Sequence, residues 1–183
     1  VAARTLGIPY INNVTGIGSV VNMTGAKKAF ILWLFKLAYR GAACVMFQNA
    51  TNMQLALDSG MVKGDYKLIP GSGVDLTRYP IQPYPDGGDG KTGQMVVFNY
   101  IGRVLHDKGV DDYIEAAKRI KKDYPNTEFN MLGFIEPTES HYEKELAELG
   151  EQGIVNYRGS QKDVKPWIAR AHAIIHPSTY GEG

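Results

Sequence analysis

The feature of the sequence that most constrains its fold is a regular alternation of short apolar runs with longer amphipathic segments. Short apolar runs bounded by Gly and polar residues predict buried strands, and apolar residues three or four positions apart predict helices. In the first part of the chain we predict strands at 8–12, 44–47 and 66–69 and helices at 27–40 and 49–59. In the second part we predict strands at 95–101, 128–132, 154–157 and 173–176 and helices at 110–122, 139–149 and 164–170. This order predicts an α/β fold with parallel sheets that helices cover on both faces.

Pro and Gly are concentrated between residues 70 and 93, where the alternation is interrupted. Such a composition is typical of an interdomain linker. We therefore predict one domain at 1–76, a linker at 77–94 and a second domain at 95–183. Because the chain starts at Val1 without Met and stops at Gly183 just after a predicted strand, we expect it to be truncated at both ends.

The composition is that of an ordinary globular protein, with 44% hydrophobic and 21% charged residues. The formal net charge is +1, so no overall field attracts nucleic acid and we expect no nucleic-acid partner. The one cysteine, Cys44, lies in an apolar run without a partner in the chain, which indicates a reducing compartment and predicts a cytoplasmic protein. The longest apolar stretch contains Lys36, Arg40 and Gly41, which argues against a membrane span.

The helix predicted at 27–40 combines aromatic and basic residues. These are Phe30, Trp33, Phe35 and Tyr39 together with Lys27, Lys28 and Lys36. Core packing of the aromatic rings is the interpretation we favour. The alternative is a peripheral contact with a membrane surface, which basic and aromatic side chains on one helix can make.

The segment from Gly102 to Gly109 runs from the end of a predicted strand into the start of a predicted helix. Backbone N–H groups point outward in such a loop and the helix dipole adds positive charge, so the loop suits an anion. Arg103 can hold a phosphate with two parallel hydrogen bonds, and Lys108 adds a point charge. Together they fit a diphosphate. The alternative is that both are solvated loop charges.

Histidines offer two further candidates. His106 lies between Arg103 and Lys108, where it could hydrogen-bond a phosphate, although a solvated loop histidine is the interpretation we favour. His172 and His176 are four residues apart but flank a predicted strand without a third ligand nearby. We therefore predict no metal site.

Glu182 stands in a Gly-rich loop beyond the last predicted strand, between Gly181 and Gly183. A carboxylate there can accept hydrogen bonds from sugar hydroxyls. The alternative, which the residues alone favour, is that Glu182 caps a helix that begins after Gly183.

Several motifs, in order along the chain, carry a resemblance to a known family. They are Gly7-Ile8-Pro9, Asn12-Asn13-Val14-Thr15-Gly16-Ile17-Gly18, Phe47-Gln48-Asn49, Ile69-Pro70-Gly71-Ser72-Gly73-Val74-Asp75, Gly102-Arg103, Lys108-Gly109, Pro177-Ser178 and Gly181-Glu182-Gly183. Together they resemble family 4 of the glycosyltransferases, in particular its bacterial surface-polysaccharide branch. These are retaining enzymes of GT-B fold, which implies two Rossmann-like domains, both incomplete here.

The resemblance implies a role for each candidate residue. Gly102, Arg103 and Lys108 bind the donor diphosphate, and Glu182 with Gly183 contacts the transferred sugar. Arg103, Lys108 and Glu182 are then the catalytic residues. Glu182 is also the first Glu of a pair, so we expect the second on a helix eight positions later, beyond Gly183. Neither a metal nor a cofactor is implied, since the nucleotide-sugar is a substrate.

The resemblance also implies a function. We expect a retaining glycosyltransferase that moves a sugar from a nucleotide diphosphate, UDP, to a lipid-linked or polysaccharide acceptor in capsule or exopolysaccharide synthesis. Its expected place is the cytoplasm, at the inner face of the plasma membrane. Two alternatives remain open, a sugar-nucleotide epimerase of the same fold and an inactive fragment that only binds nucleotide-sugar.

Overall fold

The computed structural model of the protein describes residues 2–17, 20, 23–71 and 73–178. These residues form two compact units, one that ends at Val74 and one that begins at Asp75. The alternation of strands and helices in both units follows the order predicted from the sequence.

The first unit is built on a parallel sheet. Its strands are β1 (Ile11–Val14), β2 (Cys44–Phe47) and β3 (Tyr66–Leu68), in the order β1-β2-β3. Its helices are α1 (Ala2–Thr5), α2 (Gly25–Tyr39) and α3 (Ala50–Asp58). The core contains Val14, Ile17, Val20, Val45, Phe47, Ala56, Met61 and Val62.

Helix α2 has apolar side chains both on the face that packs against the core and on the face that is exposed. Phe35 and Tyr39 pack against the core, as predicted. Phe30 and Trp33 are 58% and 52% exposed and stack on each other, so the prediction of core packing is wrong for these two rings. The reason is geometric, since one sheet covers only one face of a helix and here both faces are apolar.

The second unit is built on a parallel sheet of four described strands. They are β4 (Val96–Ile101), β5 (Thr127–Leu132), β6 (Asn156–Gly159) and β7 (Ala173–Ile174), in the order β6-β5-β4-β7. The helices are α4 (Val110–Asp123), α5 (His141–Glu151) and α6 (Lys165–Arg170). Because the strands are parallel, their carboxyl ends lie along the same edge of the sheet.

Buried tyrosines join the helices of the second unit to its sheet. The Tyr113 hydroxyl of α4 donates to the carbonyl oxygens of Asn130 and Phe98, at 2.8 and 3.0 Å. Burial raises the pKa of Tyr113 above its usual range. Tyr100 and Tyr142 are also buried in this core. The Tyr113 phenol therefore remains neutral and acts as a hydrogen-bond donor inside an apolar layer.

Two strands lie two or three residues later than predicted, and each shift has a visible cause. The strand predicted at 154–157 starts at Asn156 because Ile154 N–H still bonds the Leu149 carbonyl and closes the end of α5. The strand predicted at 8–12 starts at Ile11 because Ile8 N–H bonds the Ala3 carbonyl and closes α1. Helix α1, of four residues, is absent from the prediction.

Residues 75–94, most of which were predicted as a linker, contain no helix or strand and group with the second unit. The Tyr84 hydroxyl donates to the His172 carbonyl at 2.7 Å. Asp89 accepts the N–H groups of Lys91, Thr92 and Gly93, and these bonds hold the pKa of Asp89 well below its usual range. This segment is thus folded onto the second unit through hydrogen bonds.

Candidate functional site

The candidate site lies at the carboxyl edge of the sheet in the second unit. The loop after β4 runs from Gly102 to Gly109, and the loop after β5 starts at Gly133. Ligands of open parallel sheets bind at this edge, beyond the ends of the strands. The two neighbouring loops therefore form the candidate site of this unit.

These two loops continue to pair beyond the ends of their strands. Gly102 N–H donates to the Leu132 carbonyl and Val104 N–H to the Phe134 carbonyl, both at 2.9 Å. In the other direction, Glu136 N–H donates to the Val104 carbonyl at 3.1 Å. Val104 is fully buried. Backbone pairing and burial together hold the start of both loops in one conformation.

Two glycines allow backbones to approach closely at this edge. A β-carbon on Gly133 would lie 1.7 Å from the Gly102 carbonyl oxygen, and Gly133 has a φ of +145°. A β-carbon on Gly109 would lie 2.2 Å from the Pro177 carbonyl oxygen, and its φ is +73°. Both positions require glycine, for space and for backbone conformation.

Arg103, the first of the two cations predicted to bind phosphate, lies at the surface of this edge. Its Nη1 donates to Glu136 Oε1 at 2.8 Å, and its side chain is 54% exposed. From below, the Tyr100 hydroxyl donates to the Arg103 carbonyl at 2.7 Å. The Tyr100 ring stacks on His176, with centroids 6.0 Å apart. The backbone of Arg103 is thus anchored while its guanidinium faces outward.

Lys108 ends a 3-10 turn, His106–Lys108, directly before α4. Its N–H bonds the Leu105 carbonyl at 3.0 Å, and the side chain is half-buried. The next residue, Gly109, is the N-cap of α4 and has no side chain to accept from the first turn. Lys108 therefore stands where the positive end of a 14-residue helix faces the loop.

His106 is joined to two helices through Asp111. Its Nδ1 lies 2.6 Å from Asp111 Oδ2, and the Tyr142 hydroxyl of α5 donates to Asp111 Oδ1 at 2.7 Å. The hydrogen bond and charge of Asp111 raise the pKa of His106. Burial raises the pKa of Tyr142 most, and its hydrogen bond to Asp111 raises this pKa further. The loop thus gains a proton-dependent positive charge on the imidazole.

The structure brings Gly102, Arg103 and Lys108 to one loop, as the sequence indicated. Glu182 and Gly183, the predicted sugar-binding residues, lie outside the described residues. Sequence reasoning missed Glu136, the partner of Arg103. Arg103 follows β4 and Glu136 follows β5, and these two strands are parallel neighbours. Because parallel neighbours end at the same edge of a sheet, a pairing of β4 with β5 would have indicated that the two residues lie close together.

Both ring nitrogens of His172, one of the two histidines considered as metal ligands, have hydrogen-bond partners in the protein. His172 Nδ1 accepts Val97 N–H at 3.1 Å, and its Nε2 lies 2.9 Å from the Asp86 carbonyl oxygen. Within the described ranges, no three His, Cys, Asp or Glu side chains are grouped so that they could hold a metal ion.

None of the described helices has both the length and the apolar character needed to cross a bilayer.

Comparison with known proteins places this edge in a recognised family. Residues 89–183, which are 95 of the 183 residues, match the family described as Glycosyl transferases group 1. The whole chain is 24% identical to half of an enzyme of Campylobacter jejuni, N,N'-diacetylbacillosaminyl-diphospho-undecaprenol alpha-1,3-N-acetylgalactosaminyltransferase. The chain thus spans about half the length of this relative.

Solved structures share the fold. Anabaena Alr3699/HepE in complex with UDP-glucose superposes with a TM-score of 0.75 at 19% identity, over 99% of this chain and 50% of that one. WaaG, a glycosyltransferase of lipopolysaccharide biosynthesis, superposes with a TM-score of 0.66 at 16% identity, over 92% of this chain and 50% of that one. The predicted fold class, α/β with parallel sheets of GT-B type, is confirmed.

The family match includes all of β4 to β7 and therefore the whole described part of the candidate site. It begins at residue 89, inside the segment that is bonded to the second unit. Family and site thus coincide in one unit of the chain. The chain belongs to the group 1 glycosyl transferases.

Proposed function

We propose that the protein is a retaining glycosyltransferase that takes its sugar from a nucleoside diphosphate, UDP, and binds this donor at the carboxyl edge of the second sheet. The observation that carries the proposal is the loop after β4, which contains Arg103 and Lys108 and ends at the positive N-terminus of α4. Two cations and a helix N-terminus form a site for a diphosphate. No metal or cofactor takes part in this proposal.

The proposed chemistry uses these charges on the leaving group. The bond between the sugar anomeric carbon and the donor phosphate oxygen breaks, and its electron pair remains on the diphosphate. The acceptor hydroxyl forms the new bond to the same carbon, and its proton passes to an oxygen of the departing diphosphate. Fixed cations stabilise the charge that grows on the phosphate, and loss of one such group costs about 3 to 4 kcal/mol in the transition state.

Glu182 and Gly183 are proposed to contact the transferred sugar. The family resemblance of Gly181-Glu182-Gly183 supports this role, together with the position of these residues after β7. The strand leads to the same edge of the sheet as β4. Arg103, Lys108 and Glu182 would then act as the catalytic residues of one site.

The acceptor is proposed to be lipid-linked, in the synthesis of a surface glycan such as capsule or exopolysaccharide. The Campylobacter jejuni relative supports this, since its name describes transfer onto a diphospho-undecaprenol compound. In this proposal residues 1–76 belong to the acceptor-side domain and residues 95–183 to the donor-side domain, with 77–94 between them.

Contact with the inner face of the cytoplasmic membrane is also proposed, through the outer face of α2. This face exposes Phe30, Trp33, Leu34 and Leu37. Helix α2 contains three Lys and no acidic residue. A groove of about 570 Å³ beside it is lined by Trp33, Lys36, Arg40 and Lys63, among others. Aromatic and basic groups on one helix face favour an anionic lipid surface.

A turnover assay tests the proposed activity. The protein, expressed from its complete gene, is incubated with UDP-sugars, with and without lipid-linked acceptor. We expect release of UDP that depends on the acceptor and a product in which the anomeric configuration is retained. A new sugar-nucleotide formed without acceptor would instead identify an epimerase, and tight binding without turnover would identify a binding protein.

Matched variants show whether turnover depends on the proposed site. We expect Arg103→Ala and Lys108→Ala each to reduce turnover by roughly two to three orders of magnitude. The control is Arg119→Ala, which removes a guanidinium from a similar ion pair with Glu115 on the exposed face of α4. This variant should retain full turnover.

A further inference from the structure

We propose that Glu136 is a positioning residue that orients the Arg103 guanidinium for the donor diphosphate. The proposal rests on the proposed function, because it assumes that Arg103 binds this diphosphate. Two observations support this role. They are the hydrogen bond between Glu136 and Arg103 and the backbone hydrogen bonds that fix Glu136 in place.

The backbone fixes the position of Glu136 from both sides. Its N–H bonds the Val104 carbonyl, and its own carbonyl accepts the Glu139 N–H at 2.8 Å. Val104 and Ile135 form a parallel bridge between the loops. Glu136 is therefore held beside Arg103 by hydrogen bonds that involve neither side chain.

The two side chains differ in exposure in the way that a positioning role requires. The Glu136 side chain is 22% exposed and that of Arg103 is 54% exposed. The hydrogen bond between them joins Nη1 of Arg103 to Oε1 of Glu136. A guanidinium has five N–H donors in a fixed plane, so one bond orients the plane and leaves other donors for a phosphate.

Two effects of Glu136 on the donor oppose each other. Its carboxylate repels a diphosphate, but it also restricts a flexible side chain before the donor arrives, which reduces the entropy lost on binding. The Arg103 side chain, where the donor would bind, is 54% exposed, so solvent weakens the repulsion. The hydrogen bond depends on contact and is not weakened in this way. Orientation therefore outweighs repulsion.

Calorimetric titration with UDP of the protein expressed from its complete gene tests this role. We expect Glu136→Ala to weaken UDP binding about fivefold, the effect of releasing one ordered side chain. Glu136→Gln keeps an oxygen acceptor for Nη1 and should stay within about twofold of wild type. In a protein that already carries Arg103→Ala, Glu136→Ala should not weaken the binding further, because no guanidinium is left to orient.

The control is Glu115→Ala, which breaks the comparable pair with Arg119 on α4 and should leave UDP affinity unchanged. Wild-type or tighter binding by Glu136→Ala would overturn the proposal, as would equal weakening of binding in the presence and absence of Arg103. If Arg103→Ala and Lys108→Ala both leave UDP affinity unchanged, the proposed donor site fails instead, so the two failures are distinguishable.

Discussion

The backbone of Gly133 lies against the carbonyl of Gly102, so that a β-carbon on Gly133 would be 1.7 Å from that oxygen. The contact joins the loops after β4 and β5 at the point where both strands end. Arg103 follows Gly102 directly, and Glu136 belongs to the loop that Gly133 begins. The geometry of the candidate site therefore depends on a residue without a side chain.

We predict that Gly133→Ala destabilises the protein by about 2 to 4 kcal/mol. A methyl group would overlap the Gly102 carbonyl, and a φ of +145° is strained for alanine. Denaturant unfolding followed by circular dichroism measures the loss. The control is Gly87→Ala, since a β-carbon on Gly87 meets no atom within 4 Å. Equal stability of the two variants would refute the close contact.

We predict that Asp111→Asn lowers the pKa of His106. In the wild-type protein the hydrogen bond and charge of Asp111 raise that pKa above its usual value. Histidine-selective NMR across a pH titration measures it. Asp112→Asn is the control, because Asp112 is in the same helical turn and is not among the groups that shift His106.

The same pair predicts the sign of a pH effect on stability. Because the folded state has the higher pKa, the contribution of this pair is complete below the unfolded value of about 6.5 and is lost as the pH rises through the folded value. The free energy of unfolding, measured across this pH range, should decrease with rising pH in the wild-type protein. In Asp111→Asn this decrease should be absent. A His106 pKa that is unchanged by the substitution would contradict the assigned bond.

We predict that the protein binds vesicles that contain anionic lipid and that salt weakens this binding, because salt screens charge attraction at the membrane surface. The double variant Phe30→Ser and Trp33→Ser should bind several-fold less in vesicle sedimentation, because both rings are exposed on α2. Ile81→Ser, at a side chain that is 95% exposed elsewhere, is the control. Absence of binding at every salt concentration would refute the membrane contact.

Strands and helices could be predicted from the sequence because their apolar pattern is local. β2 and α4 begin at the predicted residues, Cys44 and Val110. The first turn of α4 contains Asp111 and Asp112, and its last turn contains Lys121 and Lys122. Acidic residues stabilise the positive N-terminus of a helix and basic residues its negative C-terminus, so this distribution predicts both ends of α4. Such signals need no knowledge of distant contacts.

The Arg103 and Glu136 pair could not be predicted in the same way. The two residues are 33 positions apart, and they meet because backbone pairing continues beyond β4 and β5. No periodicity in the sequence shows where pairing stops. The exposure of Phe30 and Trp33 was missed for a related reason, since an apolar helix does not show which of its faces a sheet will cover.

Calorimetric titration with UDP is the most direct test of the donor site. If Arg103 and Lys108 bind the diphosphate, Arg103→Ala and Lys108→Ala should each weaken UDP binding by roughly tenfold to a hundredfold, the value of a charge-assisted hydrogen bond. Arg119→Ala should match wild type, since that guanidinium pairs with Glu115 on the exposed face of α4. Unchanged UDP affinity in both Arg103→Ala and Lys108→Ala would contradict the donor site proposed at this edge.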